Sequence, residues 1–443
     1  MTIQDIYKIY TISSGIEINS KKVKKKSIFL ALKGENFDGN QFVAEAIRNG
    51  AILVIMDNKK YFFKNKKIFF VKNALIFLQK LAIYHRHKCI NIPIIAIVGS
   101  NGKTTTKELT KNILSKEYDN VHYTKHNFNN HIGIPLTILS MPRYTKISVI
   151  EIGASHEKEI ENMCSIINPD YGCITNFGKA HLEGFGGFNG VIRSKLELYN
   201  FLRKNKKLVF VNGDDPIQSS NSKKMRRFIF SGNKQKKSDV NFQFIHNNNI
   251  KSILCVKNTT ITSSLIGDYN IYNIALSITI GIYFKISLKK IKKAIEEYIP
   301  NNHRSQILNK KNGKIIIDCY NANPTSMIRS LIFFDKKIYG SKIVILGDML
   351  ELGHYSNEEH EKILIFLNKS TINKAFLIGK NFYKTKNINS KKISIKKFFS
   401  KEKFIYWIKK NPIEKIDYLF IKGSRKIALE TIIPSISLMM ESD

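Results

Sequence analysis

An apolar run at 94–98, Ile-Ile-Ala-Ile-Val, stops at Gly99-Ser100-Asn101-Gly102-Lys103-Thr104, and a helix-forming stretch, 103–115, follows at once. A strand, a glycine turn and a helix in that order gather backbone N–H groups and the positive end of a helix around one point, which is what a phosphate requires. Lys103 adds a cation and Thr104 a hydroxyl able to ligate Mg²⁺. The spacing departs from G-x-x-x-x-G-K-[ST], since Ile97 occupies its first position. The context still predicts that Gly99, Ser100, Asn101, Gly102, Lys103, Thr104 and Thr105 hold the phosphates of a nucleotide, with Lys103 part of the catalytic machinery.

Around this loop, strand-like and helical segments alternate. Strands at 94–98, 147–152, 171–175 and 208–211 are separated by helices at 103–115, 157–167 and 191–202, the pattern of parallel βαβ units with helices on both faces of a sheet. A chain of 443 residues has room for about three domains. Ahead of the loop, strand-like runs at 27–32 and 51–56 flank a helical stretch at 42–49, and a helix at 74–88 leads to Asn91-Ile92-Pro93. Proline disfavours helix at the residue before it, so a boundary falls there. Short β-rich runs, among them 250–256, precede a helix at 272–284. A third α/β unit opens near Arg304, with strands at 314–318, 342–346, 375–378 and 418–421. The expected division is 1–91, 92–303 and 304–443, with the Lys- and Asn-rich segments 232–248 and 384–397 as solvated loops.

Two further residues belong near the phosphates. Glu151 ends a strand and precedes Gly153, and strand C-termini are where α/β sheets meet ligands, so a Mg²⁺ ligand is expected. His181 lies after the 171–175 strand in a loop rich in glycine (Gly178, Gly184, Gly186, Gly187), which predicts a metal or phosphate ligand facing the same point. His122, His126 and His131 are suggestively spaced, but no cysteine or carboxylate completes a tetrahedral zinc set.

Lysine and arginine number 72 against 35 acidic residues, a formal net charge of +37. Only ten of these cations are arginine and 62 are lysine, whereas base and phosphate recognition favours the planar arginine fork. The excess lysine accompanies abundant Ile, Asn, Phe and Tyr and is scattered over all three regions. It reads as compositional bias, and no specific nucleic-acid partner is expected. Five cysteines without a C-x-x-C pair give neither a disulfide framework nor a zinc ribbon. No signal-like segment opens the chain, and no apolar run approaches the ~20 residues of a membrane span. A cytoplasmic protein away from the membrane is expected.

The order of these strings resembles the Mur ligase family, the ATP-dependent amide-forming enzymes of peptidoglycan precursor assembly, over a stretch from about Val23 to Glu430. The segment 29–39 is similar to the one that helps hold a UDP-sugar. In the centre the match takes in 99–106, Thr124, Asn127, Asn129, Asn130, Gly133, Pro135, Glu151-Ile152-Gly153 and 175–187. Gly267-Asp268-Tyr269-Asn270 with Asn273 is similar to an adenine-side element, with Tyr269 where histidine is commoner. Further on stand Asp318-Cys319-Tyr320-Asn321-Ala322-Asn323-Pro324, the string 346–353 with His360, and Lys422-Gly423-Ser424-Arg425. The 318–324 string resembles the branch that adds D-alanyl-D-alanine. The D-N-P-R string of the sister enzyme that adds the third amino acid is absent.

The resemblance implies an α/β protein of three domains: a small N-terminal α/β domain, a central P-loop ATPase-like parallel sheet and a C-terminal Rossmann-like domain. It implies ATP and Mg²⁺ as cofactors, UDP-N-acetylmuramoyl-tripeptide and D-alanyl-D-alanine as substrates, and a monomer. Asn270, Asn273, Arg304 and Asp318 would touch the nucleotide. Ser20, Lys21, Asn36, Phe37, Asp38, Asn129, Asn130, Asn321 and Asn323 would touch the other substrates. Lys195 matches a lysine carried as a carbamate, and would join Thr104, Glu151 and His181 around the metal. Two positions depart from the pattern. Asn19-Ser20-Lys21 replaces Asp-Ser-Arg, and lysine lacks the bidentate reach of arginine, while Ile317 replaces a second aspartate. A Mur-type ligase adding one amino acid, a folylpolyglutamate synthase-like ligase and a nucleic-acid-binding P-loop protein are the alternatives.

Overall fold

Runs of isoleucine and valine bounded by glycine, proline or charge build three sheets, one parallel throughout and two parallel except at one edge. The computed structural model describes residues 2–35, 37–245, 250–300, 304–386, 392–412 and 416–439. The first sheet orders Ile16–Glu17, Ile28–Leu30, Leu53–Met56 and Ile68–Phe70, and a small hairpin pairs Lys33–Gly34 with Phe37–Asp38. The helix Ala74–Lys88 then packs toward the central sheet, capped by the Asn73 side chain, which accepts from Ile76 N. Its Arg86 is 2% exposed. The guanidinium donates to the carbonyls of Cys89, Ile92, Ile167 and Asn168 and to the Asp170 carboxylate. A buried charge is tolerated only when its donors are satisfied, so this residue fixes the helix to the central unit in one orientation.

The central sheet has nine strands, in the order Thr259–Ile266, Lys251–Val256, Val240–Phe244, Arg226–Ser231, Leu208–Asn212, Tyr171–Ile174, Ile94–Val98, Ile147–Glu151 and Val121–Tyr123. The first of these nine strands in chain order, Ile94–Val98, thus lies between two later ones that leave on opposite sides. A crevice opens at the C-terminal ends of strands at such a switch. Register sets Ile97 opposite Glu151 and Val98 opposite Ile174, which brings both neighbouring strand ends to the glycine turn.

The third sheet orders Gln306–Lys310, Gly313–Ile317, Tyr418–Lys422, Lys342–Gly347, Lys374–Ile378 and Ser394–Phe398. Two expected loops are corrected here. The segment 232–248 contains the strand Val240–Phe244, with Val240 and Phe242 buried and Asn241 and Gln243 exposed. The segment 384–397 contains most of the strand Ser394–Phe398, whose lysines occupy a sheet edge. Lysine and asparagine density hid the alternation in both, and charged residues suit an edge strand because they discourage pairing with another chain. Residues 246–249 and 387–391 lie outside the described residues. Among the described residues no helix is long and apolar enough to cross a membrane, and all five cysteines are free.

Candidate active site

The turn after Ile94–Val98 can exist only with glycine where it stands. Gly99 has φ of 141°, and a Cβ there would lie 1.9 Å from Thr175 Oγ1. Gly102, with φ of 81°, opens the helix Lys103–Leu114 without a side-chain cap. First-turn N–H groups lacking a cap are the donors an anion takes up. The loop is held from the next strand: Thr175 Oγ1 and Asn176 Nδ2 donate to Asn101 O (2.6 and 2.9 Å), and Asn101 N donates to Asn176 Oδ1 (3.1 Å). Lys103 Nζ bends back to donate to Gly99 O at 2.6 Å. Burial lowers its pKa, the nearby Arg304 adds to this, and the Glu151 carboxylate opposes it.

Glu151 is a carboxylate with its hydrogen bonds assigned. Oε2 accepts from Thr104 Oγ1 (2.8 Å) and Oε1 from Asn129 Nδ2 (2.9 Å), while its own N–H donates to Thr124 Oγ1 (3.0 Å). Thr104 and Glu151 therefore present hard oxygens side by side, the donor chemistry that Mg²⁺ takes. Asn130 lies beside them, its Oδ1 accepting from Gly133 N at 2.8 Å to start the helix Gly133–Leu139. Behind the loop, Asn273 Nδ2 donates to Asn270 Oδ1 (3.1 Å).

The third unit closes the other wall. Asp318 follows the strand Gly313–Ile317, and its Oδ2 accepts from Lys422 Nζ (2.5 Å) and Ser330 Oγ (3.3 Å). Asn323 caps the helix Pro324–Lys337 reciprocally with Ser326, which leaves its Nδ2 to donate across the units to Asn101 Oδ1 at 2.7 Å. Arg304 lies over the Tyr320 ring at 3.6 Å, and Arg425 approaches the same ring at 5.4 Å. Arg304 Nε is buried without a hydrogen-bond partner among the described residues.

These groups line one cavity of about 930 Å³. Of the residues expected at the site, it takes in Ser100, Asn101, Gly102, Lys103, Thr104, Thr105, Asn129, Asn130, Glu151, His181, Asn270, Asn273, Arg304, Asp318, Asn321 and Asn323. Gly99 shapes the loop from behind. His181, in left-handed backbone with φ of 52°, has Nδ1 2.5 Å from Glu351 Oε2 of the third unit. This contact with His181 holds the Glu351 carboxyl below its ordinary value, against the opposing effect of burial.

Lys195 is not on the cavity wall. It is 2% exposed on the helix Phe188–Lys204, with Nζ 4.6 Å from the Phe185 ring. Burial, reinforced by Lys103, lowers its pKa to about 7. Ser20, Lys21, Phe37 and Asp38 also lie away from this cavity. Asp38 accepts from Asn40 N, Asn40 Nδ2 and Asn58 Nδ2 and so braces its own unit. Phe37 is 51% exposed and stacked on Phe42. Asn36 lies outside the described residues. His122 Nε2 meets Thr137 O at 2.9 Å, and burial pushes its pKa down to about 4, so its imidazole is neutral at physiological pH.

Sequence reasoning assigned no role to Asn176, Tyr320, Ser330, Glu351, Lys422 or Arg425, all on the cavity wall. Most stand inside strings already quoted, so their signal was position and not residue type. A different group, Ile76, Gln79, Lys80 and Ile83, also lines the cavity. Its spacing of i, i+3, i+4 and i+7 marks one face of the helix Ala74–Lys88. Nothing local shows that this face looks into a cleft.

Residues 13–95 match the Mur ligase family catalytic domain, 97–281 the Mur ligase middle domain, and 303–425 the Mur ligase glutamate ligase domain. The chain belongs to the Mur ligase family. Within it, the chain is 31% identical to the UDP-N-acetylmuramoyl-tripeptide--D-alanyl-D-alanine ligase of Bacillus subtilis, covering 96% of this chain and 93% of that one. It is 34% identical to the enzyme of the same name from Buchnera aphidicola subsp. Baizongia pistaciae, covering 95% and 91%. In structure it is similar to MurF from Acinetobacter baumannii (TM-score 0.85, 25% identity, 99% and 98% covered). It is also similar to MurF ligase from Thermotoga maritima in complex with ADP (TM-score 0.83, 27% identity, 98% of each chain covered).

Proposed function

We propose that this chain is an ATP-dependent ligase of the cytoplasm that joins D-alanyl-D-alanine to UDP-N-acetylmuramoyl-tripeptide. ATP phosphorylates the terminal carboxylate of the tripeptide, the amine of D-alanyl-D-alanine attacks the acyl phosphate, and ADP and phosphate leave. One observation carries the reading: a single cavity joins the phosphate loop, Glu151 and the 318–323 string. The activity named for the relatives above, which match over more than nine-tenths of this chain, supports it.

The chemistry suits these residues because phosphoryl transfer depends on positioning and charge stabilisation more than on covalent catalysis. In this reading residues 1–91 hold the UDP-sugar, 92–303 bind the nucleotide, and 304–443 close over it. Lys103 and the amides of 100–104 take the phosphates, while Arg304 adds positive charge from the junction. Asn270, Asn273 and Asp318 hold the rest of the nucleotide, and Asn321 and Asn323 face the acceptor. Thr104, Glu151 and His181 would hold Mg²⁺, which when bound supplies positive charge to the phosphate oxygens. Enclosure between the central and third units excludes water that would hydrolyse the acyl phosphate. Lys195 is assigned a carbamate. CO₂ adds only to a neutral amine, and a buried lysine with a pKa of about 7 supplies one near neutral pH.

The test is ADP release with UDP-muramoyl tripeptide, omitting each component in turn. Full turnover is expected only with D-alanyl-D-alanine. Equal stimulation by free diaminopimelate, lysine or glutamate would reject the assignment.

A further inference from the structure

The loop 175–187 has two faces. Toward the central unit, its first residues hold the phosphate loop: besides the Asn101 contacts, Ser100 N donates to Asn176 O (3.0 Å) and Ser100 Oγ to Gly178 O (2.9 Å). Toward the third unit, the next residues are held in turn. Lys179 N donates to Thr325 Oγ1 (2.9 Å), and Lys179 Nζ pairs with Glu359 Oε1 at 2.6 Å. Glu183 N donates to Glu351 O (3.3 Å).

The Lys179–Glu359 pair differs from a surface ion pair. The Glu359 side chain is 6% exposed, on the helix Ser356–Lys369, while Lys179 is 39% exposed. A buried carboxylate needs a cation, and Glu359 has two: Lys179 across the units and Lys362 on its own helix at 2.9 Å. Only the first depends on how the third unit is docked. Two residues beyond Lys179, His181 is fixed on the cavity wall. The same docking therefore sets both ends of the segment that supports the phosphate loop and carries His181.

We infer that Lys179 and Glu359 are positioning residues, an ion pair that couples docking of the third unit to the geometry of the phosphate loop and His181 in the ligation reaction. The inference rests on the ligase reading above. Neither side chain touches the reacting atoms; each acts through the loop. The pair should matter for turnover more than for nucleotide affinity, because Ser100 to Thr104 belong to the central unit and remain when the pair is lost.

The test is a double-mutant cycle, Lys179→Met, Glu359→Gln and both together, with Lys362→Met as the internal control. The unmodified enzyme is assayed alongside, so failure of the ligase reading shows as no activity before any substitution. Each single variant is expected to lower kcat about tenfold, the range of a modest coupling between sites, with ADP affinity changed less than about twofold. The double variant should be no worse than either single one, and Lys362→Met should be near normal, since coupled residues are non-additive. Additive losses, or Lys179→Met turning over within about twofold of the unmodified enzyme, would overturn the inference. Lys179 is too exposed for its truncation to unfold the chain, so that variant decides the matter even where Glu359→Gln does not fold.

Discussion

The loop 99–104 and the segment 29–39 are both expected to hold ligands, and the structure treats them differently. In the first, polar groups of the central and third units converge on a cavity, and the bonds they make to one another fix the wall. In the second, Asp38 uses its carboxylate on Asn40 and Asn58, and Phe37 lies outward on Phe42. A phosphate loop carries its own geometry, since glycine φ values and a helix start are local. A sugar-holding segment on a small hairpin gets its geometry from what packs around it.

Four substitutions sharpen or break this contrast. Lys103→Ala should have the largest effect, a loss of about 10²–10³-fold or more in kcat, if the lysine supplies the charge proposed for it at the phosphates. Single-turnover ADP formation measures it, and near-normal turnover would remove the loop from the chemistry.

Lys195→Ala comes next: ligation should nearly vanish, and acetate at high concentration should restore part of it. The sign of the pH dependence follows from a pKa lowered from 10.5 to about 7. Below about pH 7 the amine is an ammonium and no carbamate forms, so activity should rise through pH 7 and fall when CO₂ is stripped. The unfolded chain keeps its proton up to its higher pKa, so the cost of burying Lys195 is full below pH 7 and fades as pH rises above it. Activity indifferent to CO₂ would withdraw the carbamate while leaving the ligase intact.

Gly99→Ala should weaken nucleotide binding by roughly 1–3 kcal/mol, because a side chain in that backbone region is strained and meets Thr175. Calorimetric titration with ADP measures it. Asp38→Asn should be mildest, with kcat unchanged and a stability loss of about 1 kcal/mol, as expected for a rearranged hydrogen-bond acceptor. Denaturant titration gives the stability, and the KM for the UDP-sugar shows whether the segment meets substrate. A tenfold fall in kcat would mean that the contrast between the regions is false.

The elements were legible where apolar periodicity was strong. The helix Ala74–Lys88 and the strand Ile94–Val98 are found at the expected residues. The strands Val240–Phe244 and Ser394–Phe398 are hidden in the sequence because each is five residues long and follows a stretch crowded with lysine and asparagine, which swamps its few apolar residues.

By itself the sequence determined the phosphate loop, the strand end at Glu151 and the order of the strings, because these depend on neighbours within a few residues. Only the tertiary structure decided that Glu151 meets Thr104 and Asn129, that Asn323 reaches Asn101, and that His181 faces Glu351. It also decided that Lys195 is buried against Phe185 off the cavity wall and that one face of the helix Ala74–Lys88 lines the cavity. The physical reason is one of range. A backbone turn or a helix start is fixed by residues beside it in the chain, whereas partners some 20 to 220 positions apart are chosen by sheet register and by the docking of separately built units.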